Sequence, residues 1–215
     1  MTLVHRTLKL GPMDNGTYVV ACPRTREAAV IDVGFEPDTV IGAVRAAGLT
    51  VTLLLNTHAH WDHIAGMREV QAALGGTWWL HPADAAMRDV FAEQSAMFGL
   101  PPAVWPDDRH DLADGMTLAV GDGALRVLHT PGHSPGHVTF VDGDADAFSG
   151  DVLFAGSVGR TDLAGGSWPE LERSIRERLF PLGDHVRIHP GHGPATTIGQ
   201  ERRTNPFVGA AANLA

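Results

Sequence analysis

Three histidines and an aspartate fall within six residues, in Thr57-His58-Ala59-His60-Trp61-Asp62-His63, directly after the apolar run 51–56. That run is β-branched and aliphatic, and its length reads as a strand. A strand end can hold such side chains on a tight loop where they converge. His58 and His60 are two apart, so extended backbone points them the same way. Asp62 and His63 then turn into a helix, because Ile64, Met67, Val70 and Leu74 recur at helical spacing before Gly75-Gly76. A solvated polar turn, with Asp62 or His63 as a helix cap, is the plainer alternative. Four ligand-type residues at this density rarely serve only capping.

The surrounding pattern is α/β. Strands are expected at 17–22, 28–33 and 51–56, with a helix at 38–47 between the last two. Val40, Ile41 and Val44 share one face of that helix, and Gly48 is its C-terminal cap. Strand, helix, strand at this spacing suggests a βαβ unit. A strand at 77–80 and a helix at 82–98, with Pro82 in its first turn, come next. The proline-rich segment 99–114 reads as loop, and 82–114 is placed as a lid over the site. Strands resume at 116–120, 124–129, 137–141 and 147–149. The helix 167–180 carries Ser167 and Glu170 at capping-box spacing, with Leu171, Ile175 and Leu179 as its apolar stripe. A last strand is expected at 185–188. No linker divides the chain, so residues 1–215 are taken as one domain.

Three further residues resemble site residues. His133 ends Thr130-Pro131-Gly132-His133, Asp151 ends Ser149-Gly150-Asp151, and His192 lies in Pro190-Gly191-His192-Gly193. Each follows a strand-like segment and stands beside glycine, which lets backbone approach a site closely. Alone, each reads more simply as a turn residue. With the first cluster they make seven nitrogen and oxygen donors. That exceeds one tetrahedral ion and suits two ions sharing a carboxylate and a water.

Composition narrows the partners. The formal net charge of −9 and the lack of a Lys/Arg run argue against nucleic acid. One cysteine, Cys22, excludes an intramolecular disulfide and fits a reducing, cytoplasmic setting. Residues 1–10 alternate apolar and basic side chains and lack the apolar core of a secretory signal. No stretch approaches the ~18 apolar residues of a membrane span.

The order H-x-H-x-D-H, then His133, Asp151 and His192, resembles the metallo-β-lactamase superfamily, and within it the glyoxalase II family. Supporting strings are TPGHSPGH (130–137), SGDVLFAGSVGRTDL (149–163), PGHGP (190–194) and ERRTNPF near the end. The similarity covers nearly the whole chain and is nearest to short bacterial members without a C-terminal helical domain. It implies a four-layer αββα sandwich with a dinuclear site at one edge. By matching positions, it implies that His58, His60 and His133 hold one ion, that Asp62, His63 and His192 hold the other, and that Asp151 bridges them. Two divalent ions per chain are implied, with zinc first and iron or manganese also suited to the donors. Asp151 stands where β-lactamases commonly have a cysteine ligand, which disfavours an antibiotic hydrolase.

The implied activity is hydrolysis of an S-2-hydroxyacyl thiol conjugate, S-lactoylglutathione or an analogue. Asp62 and Asp151 are the carboxylates on which turnover would depend. Arg160 either binds a substrate carboxylate or pairs internally with Asp162. Tyr18 is the only tyrosine, so the tyrosines that hold glutathione in longer family members have no obvious counterpart. His137 is placed in support of the centre, His81, His129 and His189 as packed or surface residues, and His5, His110 and His185 as uninvolved. A mononuclear-iron persulfide dioxygenase on the same fold, using His58, His133 and Asp151, is the rival reading. Phosphodiesterase work and a non-catalytic metal-binding scaffold are weaker ones.

Overall fold

Alternation along the strands sorts the apolar side chains into three separate layers of core. On β2 (Asn15–Ala21) and β3 (Glu27–Ile31), Val19, Ala21, Ala28 and Val30 face one way, whereas Tyr18, Val20, Ala29 and Ile31 face the other. On β4 (Thr50–Leu55), Leu54 joins the first set and Leu53 and Leu55 the second. Both faces are therefore buried, as period-two alternation of apolar residues on a covered sheet requires. The structure is a computed structural model that describes residues 2–88, 95–97, 99, 104–210 and 212.

With β1 (Val4–Leu10), β5 (Thr77–Leu80) and β6 (Arg109–Asp111), these strands form a six-stranded sheet in sequential order, parallel from β3 to β6. Its outer face is covered by α1 (Pro37–Ala46), α2 (Trp61–Ile64) and α3 (Met67–Leu74), through Val40, Val44, Ile64, Met67 and Val70.

The second sheet runs β14-β13-β10-β9-β8-β7, built from β7 (Thr117–Val120), β8 (Gly123–His129), β9 (Val138–Asp142), β10 (Asp146–Gly150), β13 (Arg187–Pro190) and β14 (Thr196–Thr197). Only β10 and β13 pair in parallel within it. β11 (Leu153–Phe154) and β12 (Ser157–Val158) make a small hairpin beside it. Leu125, Val127, Phe140 and Phe148 pack inward against the first sheet. Leu128, Val141, Ala147 and Ile188 pack outward against α4 (Trp168–Ser174) and α5 (Ile198–Thr204). Three cores between four layers make the αββα sandwich. Fully burying a side chain the size of Phe140 or Phe148 contributes roughly 1.5–3 kcal/mol.

Several sequence expectations shift. Gly48 closes α1 in a left-handed conformation, φ +61°, as expected. Ser167 stands at the N-cap of α4, but its side chain makes no capping bond; its amide instead donates to the Gly132 carbonyl at 2.7 Å. The expected helix 167–180 is α-helical only to Ser174, then winds through a π-helical turn, Ile175–Leu179, and a 3-10 turn, Phe180–Leu182. Of the expected helix 82–98, Pro82–Met87 is 3-10 and 95–97 is helical. Much of the expected lid, 89–94, 98 and 100–103, lies outside the described residues.

Six elements went unread, among them the two-residue strands β11 and β12. β1 is an edge strand with mostly open side chains, so it lacks the buried alternation that marks β2. β6 is three exposed residues within the expected loop 99–114. β14 and α5 are similarly short.

Candidate metal centre

The parallel strands β3 and β4 of one sheet, and β10 and β13 of the other, end at the same edge of the sandwich. Loops after parallel strands are where α/β folds commonly gather ligands. Cross-sheet backbone bonds fix this edge, Val138 N to Thr57 O at 2.8 Å and Gly16 N to Gly191 O at 2.7 Å, and Gly191 N to Gly150 O at 2.8 Å continues the pairing of β10 and β13 into it. They bring together the loop after β4 (His58, His60, Asp62, His63), the loop after β8 (His133), the turn after β10 (Asp151) and the turn after β13 (His192).

All seven expected residues meet there. His60 Nδ1 faces His133 Nε2 at 2.8 Å. His63 Nε2 lies 3.3 Å from Asp62 Oδ2 and 3.5 Å from Asp151 Oδ1. His192 Nε2 lies 3.2 Å from Asp62 Oδ2 and 3.4 Å from Asp151 Oδ2. Asp151 Oδ2 is also 3.5 Å from His133 Nε2, so this carboxylate stands between the two groups. His58, His60 and His133 form one set whose donor atoms lie within 4.8 Å of one another, and Asp62, His63 and His192 form a second.

The outer nitrogens of four imidazoles are fixed. His63 Nδ1 donates to Asp32 Oδ2 at 3.0 Å, His133 Nδ1 to the Arg160 carbonyl at 2.8 Å, and His192 Nδ1 to the Met13 carbonyl at 3.0 Å. His58 Nδ1 donates to Thr57 Oγ1 at 3.0 Å, and that hydroxyl donates on to Asp32 Oδ2 at 2.6 Å. Anchoring one ring nitrogen in this way leaves the other as a lone-pair donor aimed inward.

His58 Nε2, His60 Nε2 and Asp151 Oδ1 are buried without a hydrogen-bond partner. Orphaned polar atoms of this kind are costly unless something else satisfies them. A nitrogen-and-oxygen donor set with such orphans fits divalent ions. Gly191 preserves the room: a Cβ there would stand 2.0 Å from Asp151 Oδ1.

Electrostatics point the same way. Burial opposes charge on His63, but the Asp62 and Asp151 carboxylates outweigh it and hold this imidazole well above its ordinary range. Burial likewise opposes charge on His192, yet bonds to Asp151 and Asp62 raise it to about 10. Asp62 and Asp151 are held low by these neighbours against the cost of burial. Burial, with repulsion from neighbouring imidazoles, pushes His58 down and His60 to about 3, so both keep free lone pairs. Cations therefore belong beside the two carboxylates, and protons occupy those places when metal does not. Because His63 and His192 lie above neutral pH, zinc added to metal-free protein near pH 7 should expel their protons, and affinity should weaken as pH falls. An unbuffered titration that showed no acidification on zinc uptake would contradict this.

Sequence reading missed three supporting residues. Asp32, at the end of β3, accepts from Thr57 N at 2.8 Å and Asn56 Nδ2 at 3.3 Å as well as from Thr57 Oγ1 and His63. Asp84 accepts from Ala59 N, Ser134 Oγ and Gly136 N at 3.0, 2.8 and 2.6 Å, clamping the two histidine loops together. Asn15 donates to Asp62 Oδ2 at 2.9 Å. The only sequence hint was an acidic residue ending an apolar strand in Ala29-Val30-Ile31-Asp32.

Other histidines are engaged elsewhere. His137 Nε2 accepts from the Asp151 amide at 3.0 Å. His81 stacks on His129 with centroids 4.4 Å apart, and His129 Nε2 donates to the Pro135 carbonyl. Tyr18 is buried and donates to the Pro190 carbonyl, so its hydroxyl holds the His192 turn. Arg160 makes a bidentate, exposed pair with Asp162, both bonds 2.7 Å. Among the described residues no helix is long and apolar enough to cross a membrane.

A two-sheet αββα sandwich with a His/Asp centre where the sheets meet defines a metallo-hydrolase fold. The chain belongs to the metallo-beta-lactamase superfamily, whose family model matches residues 11–192. It is 40% identical over 187 residues to the hydroxyacylglutathione hydrolase GloC of Haemophilus influenzae, covering 85% of this chain and 88% of that protein. The BLEG-1 B3 metallo-beta-lactamase superimposes with a TM-score of 0.85 at 36% identity, over 95% of this chain and 99% of that one. The crystal structure of TTHA1623 in a di-iron-bound form superimposes with a TM-score of 0.83 at 40% identity, over 94% and 99%.

Proposed function

We propose that residues 1–215 form one catalytic unit, a cytoplasmic glyoxalase II-like thioesterase acting on S-2-hydroxyacyl conjugates of a small thiol such as S-lactoylglutathione. The observation that carries this reading is the placement of Asp151 between two donor sets, His58–His60–His133 and Asp62–His63–His192. The identity to a hydroxyacylglutathione hydrolase supports the substrate class.

In this reading His58, His60 and His133 would hold one divalent ion and Asp62, His63 and His192 a second, with the Asp151 carboxylate within reach of both sets. Bound there, two ions supply a water acidic enough to be hydroxide near neutral pH and a Lewis acid for the thioester carbonyl. The protein's part is to hold the donors still. Asp32 and Thr57 orient His63 and His58, Asn15 orients Asp62, and the Arg160 carbonyl orients His133. The leaving thiolate has a parent pKa of about 8.5, so no strong general acid is required beside it. We assign zinc as the resident ion; the di-iron-bound relative makes iron the ion to load in parallel.

Release of free thiol from S-lactoylglutathione, by protein whose metals have been counted, tests the proposal. Turnover with about two ions per chain is the expected result. A single iron, with oxygen uptake on a persulfide and no thioester cleavage, would replace it by the dioxygenase reading. The 36% identity to a B3 metallo-beta-lactamase makes a β-lactam the second substrate to assay. Arg160 is exposed at the rim and its backbone already serves His133. Arg160→Gln should therefore raise KM for a carboxylate-bearing thioester several-fold while leaving kcat unchanged. An unaltered KM would assign Arg160 to its pair with Asp162 alone.

A further inference from the structure

We propose a separate metal site at His5, Asp146 and His189, where one divalent ion of the zinc type ties the first strand to the second sheet. The sequence reading set His5 aside and treated His189 as packing, yet one donor atom from each of these three residues lies within 4.8 Å of the others. His5 comes from β1, Asp146 from β10 and His189 from β13, and none belongs to the centre described above.

The three side chains fill the space between the sheets at their β1/β13 side. The His5 ring lies 4.4 Å from that of His189, and Phe148 backs both, at 5.5 and 5.0 Å. Asp146 and His189 are buried and His5 is half-buried, so the open side admits water as a fourth ligand. Two imidazoles, one carboxylate and a water make a four-coordinate zinc set. Asp146 uses its oxygens differently. Oδ2 accepts from Arg187 at 2.6 Å, and Oδ1 faces His189 Nε2 at 2.6 Å. An ion would replace the proton shared by Oδ1 and the imidazole, widening that separation to about 3.3 Å, as ligand bonds of about 2.0–2.2 Å require. Asp142, which accepts from the Leu3 amide, adds a second carboxylate nearby.

Among the described residues β1 pairs as a strand only with β2, and the Leu3 amide and Lys9 Nζ reach Asp142 and the Gly193 carbonyl, so an ion here would add a further tie to the second sheet. Anything that binds only the folded state stabilises it.

Zinc is supplied in excess to the wild type, His5→Phe and His189→Phe, free ion is removed, and bound zinc is counted by mass spectrometry. Phenylalanine keeps the ring packing and removes the ligand nitrogen. Each variant should hold one equivalent less than the wild type. Asp151→Ala, emptied at the main centre, should still hold one equivalent that Asp151→Ala/His5→Phe lacks. Equal zinc content in the wild type and His5→Phe overturns the site, whatever the thioester assay gives. Should either ring variant fail to fold, a wild-type thermal midpoint unmoved by zinc beyond the equivalents of the main centre overturns it too.

Discussion

Replacing Asp151 by alanine is expected to abolish metal retention at the main centre and turnover together. The carboxylate is buried and lies within 3.5 Å of His63, His133 and His192, so it reaches both donor sets. Its loss leaves Asp62 as the only carboxylate facing Nε2 of His63 and of His192. In the proposed reading the ions lose their shared ligand, and kcat/KM should fall at least a thousand-fold, about 4 kcal/mol in the barrier. Metal counting and thiol release on the same preparation check this. Two ions and full activity in the variant would end the assignment of Asp151 as the bridge. The fold should survive, because Asp151 lies in the turn after β10 and contributes to none of the three apolar cores.

The second large effect is expected at Asp32, which is clustered with His58 and His63 and lies behind both donor sets of the centre. Asp32→Ala strips the acceptor from His63 Nδ1, Thr57 Oγ1 and Thr57 N. Removing a carboxylate that orients a ligating histidine typically weakens metal binding 10–100-fold. Each buried donor left unpaired costs about 1–3 kcal/mol, although Asn56 keeps its other bond to the His63 carbonyl at 2.8 Å. Both quantities are measurable separately: zinc affinity by competition with a chelator, and stability by denaturant unfolding of the metal-free protein. Lower stability with wild-type affinity would make Asp32 a brace for the loop and nothing more. Weakened affinity at both donor sets would show that the chain His58–Thr57–Asp32–His63 acts as one unit.

Legibility in the sequence followed burial and proximity. β2, β3, β4 and β5 were readable because apolar residues on both faces make dense strand signals. β1 and β6 were not, because edge strands are held by backbone bonds that leave little trace in side-chain pattern. The capping box at Ser167 failed for a tertiary reason: the loop carrying Gly132 claims the Ser167 amide, and the hydroxyl does not turn to the helix. His58, His60, Asp62 and His63 were legible from their density in one loop, and His133, Asp151 and His192 from the resemblance carried by the strings around them, because Asp114, Asp122, Asp142, Asp144 and Asp184 also stand beside glycine. Asp32 and Asp84 were not, since an aspartate that accepts backbone amides looks in sequence like any turn residue.

What the sequence by itself determined is the donor chemistry, seven oxygen and nitrogen donors, and an α/β pattern, to which the family resemblance added the αββα class. What only the tertiary structure decided is which donors meet. Asp151 comes between His63, His133 and His192 because amide bonds from Val138 to Thr57 and from Gly16 to Gly191 lock the strand ends of two sheets at one edge. Those bonds join residues far apart along the chain, and spacing along a sequence carries no record of which distant backbone groups will pair.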